Sequence, residues 1–373
     1  MSQIRPHVLT LFPSAAGGGA ERIVLDQIRF CESARYDYSA VALRKGKLHR
    51  QFATHACYSC AHAGTTFNPL ALAKVNRLIR AREINLLHTQ LQEADFYGFL
   101  LKRLNPQLVW ISTRQNADDF RTRWFWRTLN ANITKSTNRV IAVSAAVSGF
   151  VAEHERIPLE KLVVIHNAID LGRFATLPSR EAARAPLGLS PEDFVVGIVG
   201  RLSPQKGHTY LLQAAARLAA DVPRLRLLIV GEGQLRGRLE RQARDLGIAE
   251  RISFAGFRSD MPNLYPAMDL LAMPSLFEGL PLTLLEALCC GLVAVGARAP
   301  GIVDVIGDGN KGLLVDVGDV EGLAEAIRRV YRREYDPEMP RRAREAARAE
   351  YGINTYLRRL ETLYYDELAR PGP

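Results

Sequence analysis

Residues 273–291 read M-P-S-L-F-E-G-L-P-L-T-L-L-E-A-L-C-C-G. The apolar run Leu270–Met273 leading into them predicts a strand, Pro274 and Ser275 a turn, and the segment around Glu286 a short apolar helix. Glu278 then stands in a loop at the carboxyl end of a strand, the edge at which open α/β sheets bind ligands. The N–H groups around Leu282 and Thr283 are the unpaired donors of a helix start and favour an anion such as phosphate. Glu286, one turn further in, can reach the hydroxyls of whatever carries that phosphate. Phosphate donors between two hydroxyl acceptors describe a nucleotide-sugar site. A plain strand-to-helix crossover with two solvated glutamates is the competing reading, and the stretch alone leaves it open.

The segments on either side narrow the choice. Strand Phe194–Val199 runs into G-R-L-S-P-Q-K-G, residues 200–207, and then a helix over 210–220. Arg201 and Lys206 place two cations between glycines at a strand's carboxyl end, which suits a diphosphate: arginine forks onto two oxygens and lysine acts as a point charge. Both would hold a departing diphosphate more tightly as it gains charge. Strands at 225–230, 252–254, 292–295 and 312–315 alternate with helices at 235–246 and 320–332, which means a parallel sheet covered on both faces.

The N-terminal half repeats the alternation. Strand His7–Phe12 is followed by the Gly-rich turn P-S-A-A-G-G-G-A-E-R and a helix to Phe30. Successive glycines let backbone approach a ligand closely, and the helix start again favours an anion. Further strands are expected at 38–43, 84–88, 108–112, 139–143 and 162–165, with helices at 69–82 and 94–104 and Ser144 as a helix N-cap. His88 and Gln90 fall at one strand's ligand edge, and T-R-Q-N (113–116) at the next. The mixed stretch 171–189 marks a domain boundary, and a final amphipathic helix, 356–368, gathers Leu357, Leu360, Leu363, Tyr364 and Leu368 on one face that must be buried.

Composition is that of a globular chain: 373 residues, 47% hydrophobic and 24% charged. That length suggests two domains. The net charge of +10 is uneven, since residues 1–170 hold 22 Lys+Arg against 13 Asp+Glu. The N-terminal half is therefore expected to meet something anionic, such as a phospholipid surface, a lipid pyrophosphate, an anionic glycan or nucleic acid. The first apolar segment is short and reads as a strand rather than a signal peptide, and no run reaches the roughly 18 apolar residues of a membrane span. A cytoplasmic protein, or one peripheral on the cytosolic face of an inner membrane, is expected. Five cysteines, an odd number, argue against a disulfide framework. Cys57-x2-Cys60 between His55 and His62 has the look of a zinc half-site, but no second pair exists and no Gly or Pro shapes a knuckle, so it reads as strand and loop of the first domain.

Taken together, G-G-G-A-E-R (17–22), V-I-H-N-A-I-D (164–170), G-R-L-S-P-Q-K-G (200–207), G-E-G (231–233), F-A-G-F (254–257) and the Glu278-x7-Glu286 pair resemble the GT-B glycosyltransferases of family 4, retaining enzymes that use nucleotide-sugars. The pieces span nearly the whole chain in the family's order. The resemblance implies an α/β GT-B fold. Two Rossmann-like, doubly wound parallel-sheet domains would face a cleft: an acceptor-binding domain over 1–170 and a nucleotide-sugar donor-binding domain over 171–352. A C-terminal helix, 353–373, would cross back to the first. It implies that Arg201 and Lys206 bind the donor diphosphate, with Gly18 and Gly19 facing it from the acceptor domain. Glu278 would bind donor-sugar hydroxyls, with Gly279 and Leu280 in the same donor-binding loop. The N–H groups of Leu282 and Thr283 would meet phosphate, Glu286 the ribose, and Phe257 and Arg258 the base. Arg201, Lys206, Glu278 and His88 are the catalytic candidates; Gln90, Arg114 and Asn116 are acceptor-side candidates. The family needs no metal or other cofactor, in keeping with the lack of an Asp-x-Asp motif.

The chain departs from the pattern in places. Many relatives carry His-x-His where this chain has His88-Thr89-Gln90, His where it has Gln115, and Gly where it has Ala168. No general base is assigned on these residues. The implied function is transfer of a hexose-type sugar from a nucleotide diphosphate-sugar, UDP-linked, to a hydroxyl of a lipid-linked or cell-surface polysaccharide or lipopolysaccharide acceptor. The alternatives are a nucleotide-sugar epimerase of the same fold and a non-catalytic module binding glycan or nucleic acid. Segment 117–127 interleaves Phe120, Trp124, Phe125 and Trp126 with Arg121, Arg123 and Arg127, as an interfacial membrane helix does; single-stranded nucleic acid and a buried core face are the competing uses. Replacing Trp124 and Trp126 with Ala should weaken sedimentation with anionic vesicles, whereas unchanged binding would place those rings in the core.

Overall fold

Thirteen short apolar runs, each closed by a Gly, Pro or polar turn, become strands among the described residues. A computed structural model describes residues 5–31, 35–116 and 124–370, with backbone alone over 124–129. The chain divides into two units, one comprising Met1–Ile169 and Ile353–Pro373, the other Asp170–Gly352. Part of the aromatic-basic segment, Phe120 to Arg127, lies outside the described residues.

In the first unit β1 (His7–Ser14), β2 (Asp37–Arg44), β3 (Tyr58–Cys60), β4 (Leu86–Gln90), β5 (Val109–Arg114), β6 (Arg139–Ala142) and β7 (Leu162–Val164) form one parallel sheet in the order β3-β2-β1-β4-β5-β6-β7. The second unit has β8 (Phe194–Val199), β9 (Leu225–Val230), β10 (Ile252–Gly256), β11 (Leu270–Met273), β12 (Val293–Ala297) and β13 (Leu313–Val315), in the order β10-β9-β8-β11-β12-β13, again parallel. Both are doubly wound Rossmann-like sheets. Their order reverses between β1 and β4 and between β8 and β11, and a ligand crevice opens at such a reversal. Helices cover both faces, which is why the central strands carry apolar side chains in unbroken runs, such as F-V-V-G-I-V in β8, buried throughout.

Local chemistry sets the helix starts. Asn68 caps the helix Pro69–Ala81 by accepting from the N–H groups of Leu70 and Ala71, and Ser144 caps Ala145–His154 by accepting from Val147. The sequence reading missed the helix Pro300–Ile306, whose Pro stands at its first position. The stretch 171–189, read as a domain boundary, contains the turns Leu171–Phe174 and Ala185–Leu187 and a short helix, Arg180–Arg184, capped by Ser179. The final helix, Ile353–Ala369, packs on the first unit: Gln27 donates to the Tyr356 hydroxyl at 2.9 Å and Glu367 pairs with Arg139 at 2.8 Å. Its Leu357, Leu360, Leu363 and Tyr364 are buried. The Cys57–Cys60 segment contributes the edge strand β3, and among the described residues no helix is long and apolar enough to cross a membrane.

Arg114, expected on the acceptor side, is instead enclosed at the end of β5 with no exposed surface. Its guanidinium donates to Asp95 at 2.5 Å and to Glu155 at 3.0 Å, while Ser112 and Thr89 donate to Asp95 at 2.5 Å. A fully buried arginine survives only when paired and hydrogen-bonded in this way. Its charge ties β5 to the helices Leu91–Leu104 and Ala145–His154 and is not offered to an acceptor. Asp95→Asn or Glu155→Gln should therefore lower unfolding stability by about 3 kcal/mol, read as a shift of the urea midpoint, because it strips one partner from a buried charge.

Candidate active site

Two loops after adjacent strands meet at the second unit's reversal point. The loop after β8 carries Arg201 to Gly207, and that after β11 carries Pro274 to Pro281. Gly207 has φ +68° and starts the helix His208–Leu218; a Cβ there would fall 1.9 Å from the Pro274 carbonyl oxygen, so only glycine lets the loops close. Two hydrogen bonds stitch them: Leu276 N–H donates to the Gln205 carbonyl at 2.8 Å, and the Gln205 amide to the Phe277 carbonyl at 2.9 Å. Between them Lys206 Nζ lies 2.6 Å from Glu278 Oε1.

The sequence candidates of this unit thus converge. Arg201 is exposed on the same loop, and no ion pair to it is found among the described residues. Glu278, Gly279 and Leu280 are buried, and Gly301 N–H holds the Glu278 carbonyl at 3.3 Å. The helix Leu282–Cys289 begins just beyond, so the N–H groups of Leu282 and Thr283 have no intrahelical acceptor. Glu286, one turn in, is 6% exposed and accepts from the Tyr265 hydroxyl at 2.8 Å. Burial, and next the Glu286 carboxylate, push the Tyr265 hydroxyl far above its ordinary range. Phe257 is partly exposed after β10, and Arg258 forks onto Asp260 at 2.6 and 2.7 Å, holding that carboxyl at about 2.

Sequence reasoning passed over several neighbours. Ser203 Oγ and both ring nitrogens of His208 are buried with no hydrogen-bond partner among the described residues, although they flank the Lys206 turn. Tyr265 and Arg173 reach Glu286 from 21 and more than 100 residues away, a proximity no local pattern announces. For Arg173 the one available signal was its place three residues after V-I-H-N-A-I-D.

In the first unit, Gly18 and Gly19 open the helix Gly19–Phe30 after β1, next to β4 at that sheet's reversal. His88 does not fit the role of a catalytic group. It is fully buried inside β4, with Nδ1 2.7 Å from the Tyr364 hydroxyl and Nε2 2.7 Å from Thr113 Oγ1. The Gln90 amide also approaches Nε2, at 3.2 Å; an amide N–H can only donate, so the ring proton sits on Nδ1. Burial pushes the ring down to about 3, and it stays neutral at ordinary pH. The array continues outward, Gln115 donating to Gln90 and Asn167 to Gln115, each at 2.9 Å. Gln90 is buried within it, Gln115 nearly so, and Asn116 is half-buried at the edge. Among the described residues of this array no side chain is charged, His88 being neutral. Among the described residues no group of three or more His, Cys, Asp or Glu could hold a metal ion.

Two protein-family models match the chain in succession: Glycosyltransferase Family 4 over residues 17–173 and Glycosyl transferases group 1 over residues 179–350. The chain is 25% identical over 330 residues, 84% of each protein, to the UDP-Gal:alpha-D-GlcNAc-diphosphoundecaprenol alpha-1,3-galactosyltransferase of Escherichia coli. It is 39% identical over 181 residues to the D-inositol 3-phosphate glycosyltransferase of Mycolicibacterium smegmatis, a match covering 47% of this chain and 41% of that protein. Among solved structures it superposes on Anabaena HepE in complex with UDP and glucose with a TM-score of 0.86 at 25% identity, over 96% of this chain and 99% of that one. Fold, motif order and both family models agree: the chain belongs to the family 4 glycosyltransferases of GT-B fold.

Proposed function

We propose that the protein transfers a hexose-type sugar, with retained configuration and without a metal, from a UDP-sugar to a hydroxyl of a lipid-linked or cell-surface polysaccharide or lipopolysaccharide acceptor. The observation that carries the donor half is the meeting of Lys206 and Glu278 at 2.6 Å, beside Arg201 and a helix start. A diphosphate there would face two cations and two N–H groups that have no intrahelical acceptor, and a sugar on it would face Glu278. UDP is favoured because the Escherichia coli relative acts on UDP-Gal and the Anabaena structure holds UDP and glucose. A lipid-linked acceptor is favoured by that same relative, named for a diphosphoundecaprenol substrate, and by the basic N-terminal half. That half also supports peripheral contact with a membrane's cytosolic face.

The chemistry follows from what the residues can hold. The acceptor oxygen forms a bond to the anomeric carbon on the face from which the phosphate oxygen departs. The bond from carbon to that oxygen breaks, and the acceptor proton passes to the departing phosphate. Arg201, Lys206 and the N–H groups of Leu282 and Thr283 stabilise the charge that gathers on the diphosphate. A neutral, enclosed His88 and the amides Gln90 and Gln115 leave the proton to the phosphate. Glu278 and Glu286 hold hydroxyls rather than forming an acid–base pair.

Removing either cation, Arg201→Ala or Lys206→Ala, should lower kcat about 10²-fold, the usual cost of one donor to a developing anion; normal transfer by both variants would sink the assignment. A thermal-shift screen of UDP-, GDP- and ADP-sugars should show the largest rise for a UDP-sugar, since stabilisation grows with saturation of the site. Glu278→Gln frees Lys206 from its partner, so UDP should bind as tightly as before or more so, while the added affinity of the sugar disappears. Calorimetric titration of UDP and UDP-sugar separates the two effects.

A further inference from the structure

The turn Leu171–Phe174 begins at Asp170, the last residue of V-I-H-N-A-I-D, whose side chain accepts from Gly172 N–H at 2.9 Å and so starts the turn. Phe174 is buried, its ring 6.3 Å from that of Tyr265. These two anchors leave Arg173 little freedom. Its guanidinium carbon lies 5.5 Å from the centre of the Phe174 ring; Nη1 is 3.7 Å from Glu286 Oε1 and Nη2 donates to the Ser259 carbonyl at 3.3 Å. Glu286 Oε2 is held on its other side by Tyr265, whose hydroxyl also reaches the Thr283 carbonyl at 3.2 Å.

One arginine therefore spans two places that share no strand: the carboxylate at 286 and the loop 257–260 after β10. Both carboxylate oxygens have a fixed neighbour, Arg173 for Oε1 and Tyr265 for Oε2, so the group cannot rotate freely. A carboxylate oxygen carries more than one lone pair and can accept more than one hydrogen bond. A carboxylate held in this way presents two acceptor positions to two adjacent hydroxyls, the pattern a ribose 2′,3′-diol offers. The Ser259 contact fixes the loop that carries Phe257 at the same time.

We infer that Arg173 is a positioning residue for the nucleoside end of the donor: it orients Glu286 toward a ribose diol and ties it to the loop 257–260, and so sets discrimination between ribo- and 2′-deoxyribonucleotides. The inference rests on the donor-site reading above. Arg173 touches no substrate on this account. It acts through Glu286, and the lysine variant, which keeps the charge but loses the fork, cannot span both partners.

The test compares UDP and 2′-deoxy-UDP by calorimetric titration of the full chain as wild type, Arg173→Lys and Arg173→Met, with a melting midpoint for each. Wild type should bind UDP at least tenfold tighter than the deoxy form. Arg173→Met should weaken UDP about tenfold and the deoxy form far less, bringing their ratio toward one. Arg173→Lys should fall between, recovering part of the ratio. A lowered midpoint with the wild-type ratio kept in both variants would make Arg173 a folding contact only and overturn the inference. Wild-type protein that binds none of UDP, ADP and GDP would remove the donor-site reading itself, and the inference with it.

Discussion

The site depends on an ion pair that two loops are built to bring together. Lys206 and Glu278 come from separate crossovers, 72 residues apart, and meet because β8 and β11 are neighbours at the point where the sheet's order reverses. Glycine at 207 permits the approach, and the hydrogen bonds of Gln205 and Leu276 hold it. A charge-assisted hydrogen bond of this kind contributes about 2 kcal/mol. Its larger consequence is electrostatic: without ligand each charge neutralises the other. On the proposed assignment, a donor entering here supplies both a negative group for the lysine and hydroxyls for the glutamate. A phosphate-linked sugar meets both demands, whereas a free sugar or a free phosphate meets one.

The two units use the same sheet design for different chemistry. In the second, the reversal point collects ions: Arg201, Lys206, Glu278 and, one turn on, Glu286. In the first, the ends of β4 and β5 carry a line of uncharged side chains instead, beside the ion pair of Arg44 with Glu93. Histidine, glutamine, glutamine and asparagine are linked in one direction, each amide donating inward, and the line ends on a tyrosine of the last helix. The ionic cluster behind it, Arg114 with Asp95 and Glu155, is sealed from solvent. This separation suits a retaining transfer in which the leaving phosphate is the base. A titrating histidine at the acceptor edge would add a second proton acceptor that such a scheme does not need.

Much of this was legible in the sequence because it is written in local pattern. Apolar runs closed by glycine or proline gave the strands, and Glu278 and Glu286 could be placed because a helix start lies between them. Arg201 and Lys206 could be named as candidates from one loop. The misreadings share a cause. His88 and Arg114 looked available because each stands at a strand's ligand edge, but their partners lie far along the chain, Tyr364 in the last helix 276 residues on and Glu155 at the end of the helix Ala145–His154, 41 residues on. Arg173 was overlooked because its value lies in joining Ser259 and Glu286, which only the folded sheet brings near it. The helix Pro300–Ile306 was missed because seven residues with two glycine or proline positions carry too little periodicity to register.

The central claim is that Arg201, Lys206 and the start of the helix Leu282–Cys289 form a diphosphate site beside Glu278. A crystal structure of the protein with UDP tests it most directly. The account predicts phosphate oxygens about 3 Å from the Arg201 guanidinium, Lys206 Nζ and the N–H groups of Leu282 and Thr283, with the ribose hydroxyls on Glu286. A nucleotide seated elsewhere, with the 2.6 Å contact between Lys206 and Glu278 undisturbed and no phosphate beside it, would contradict it.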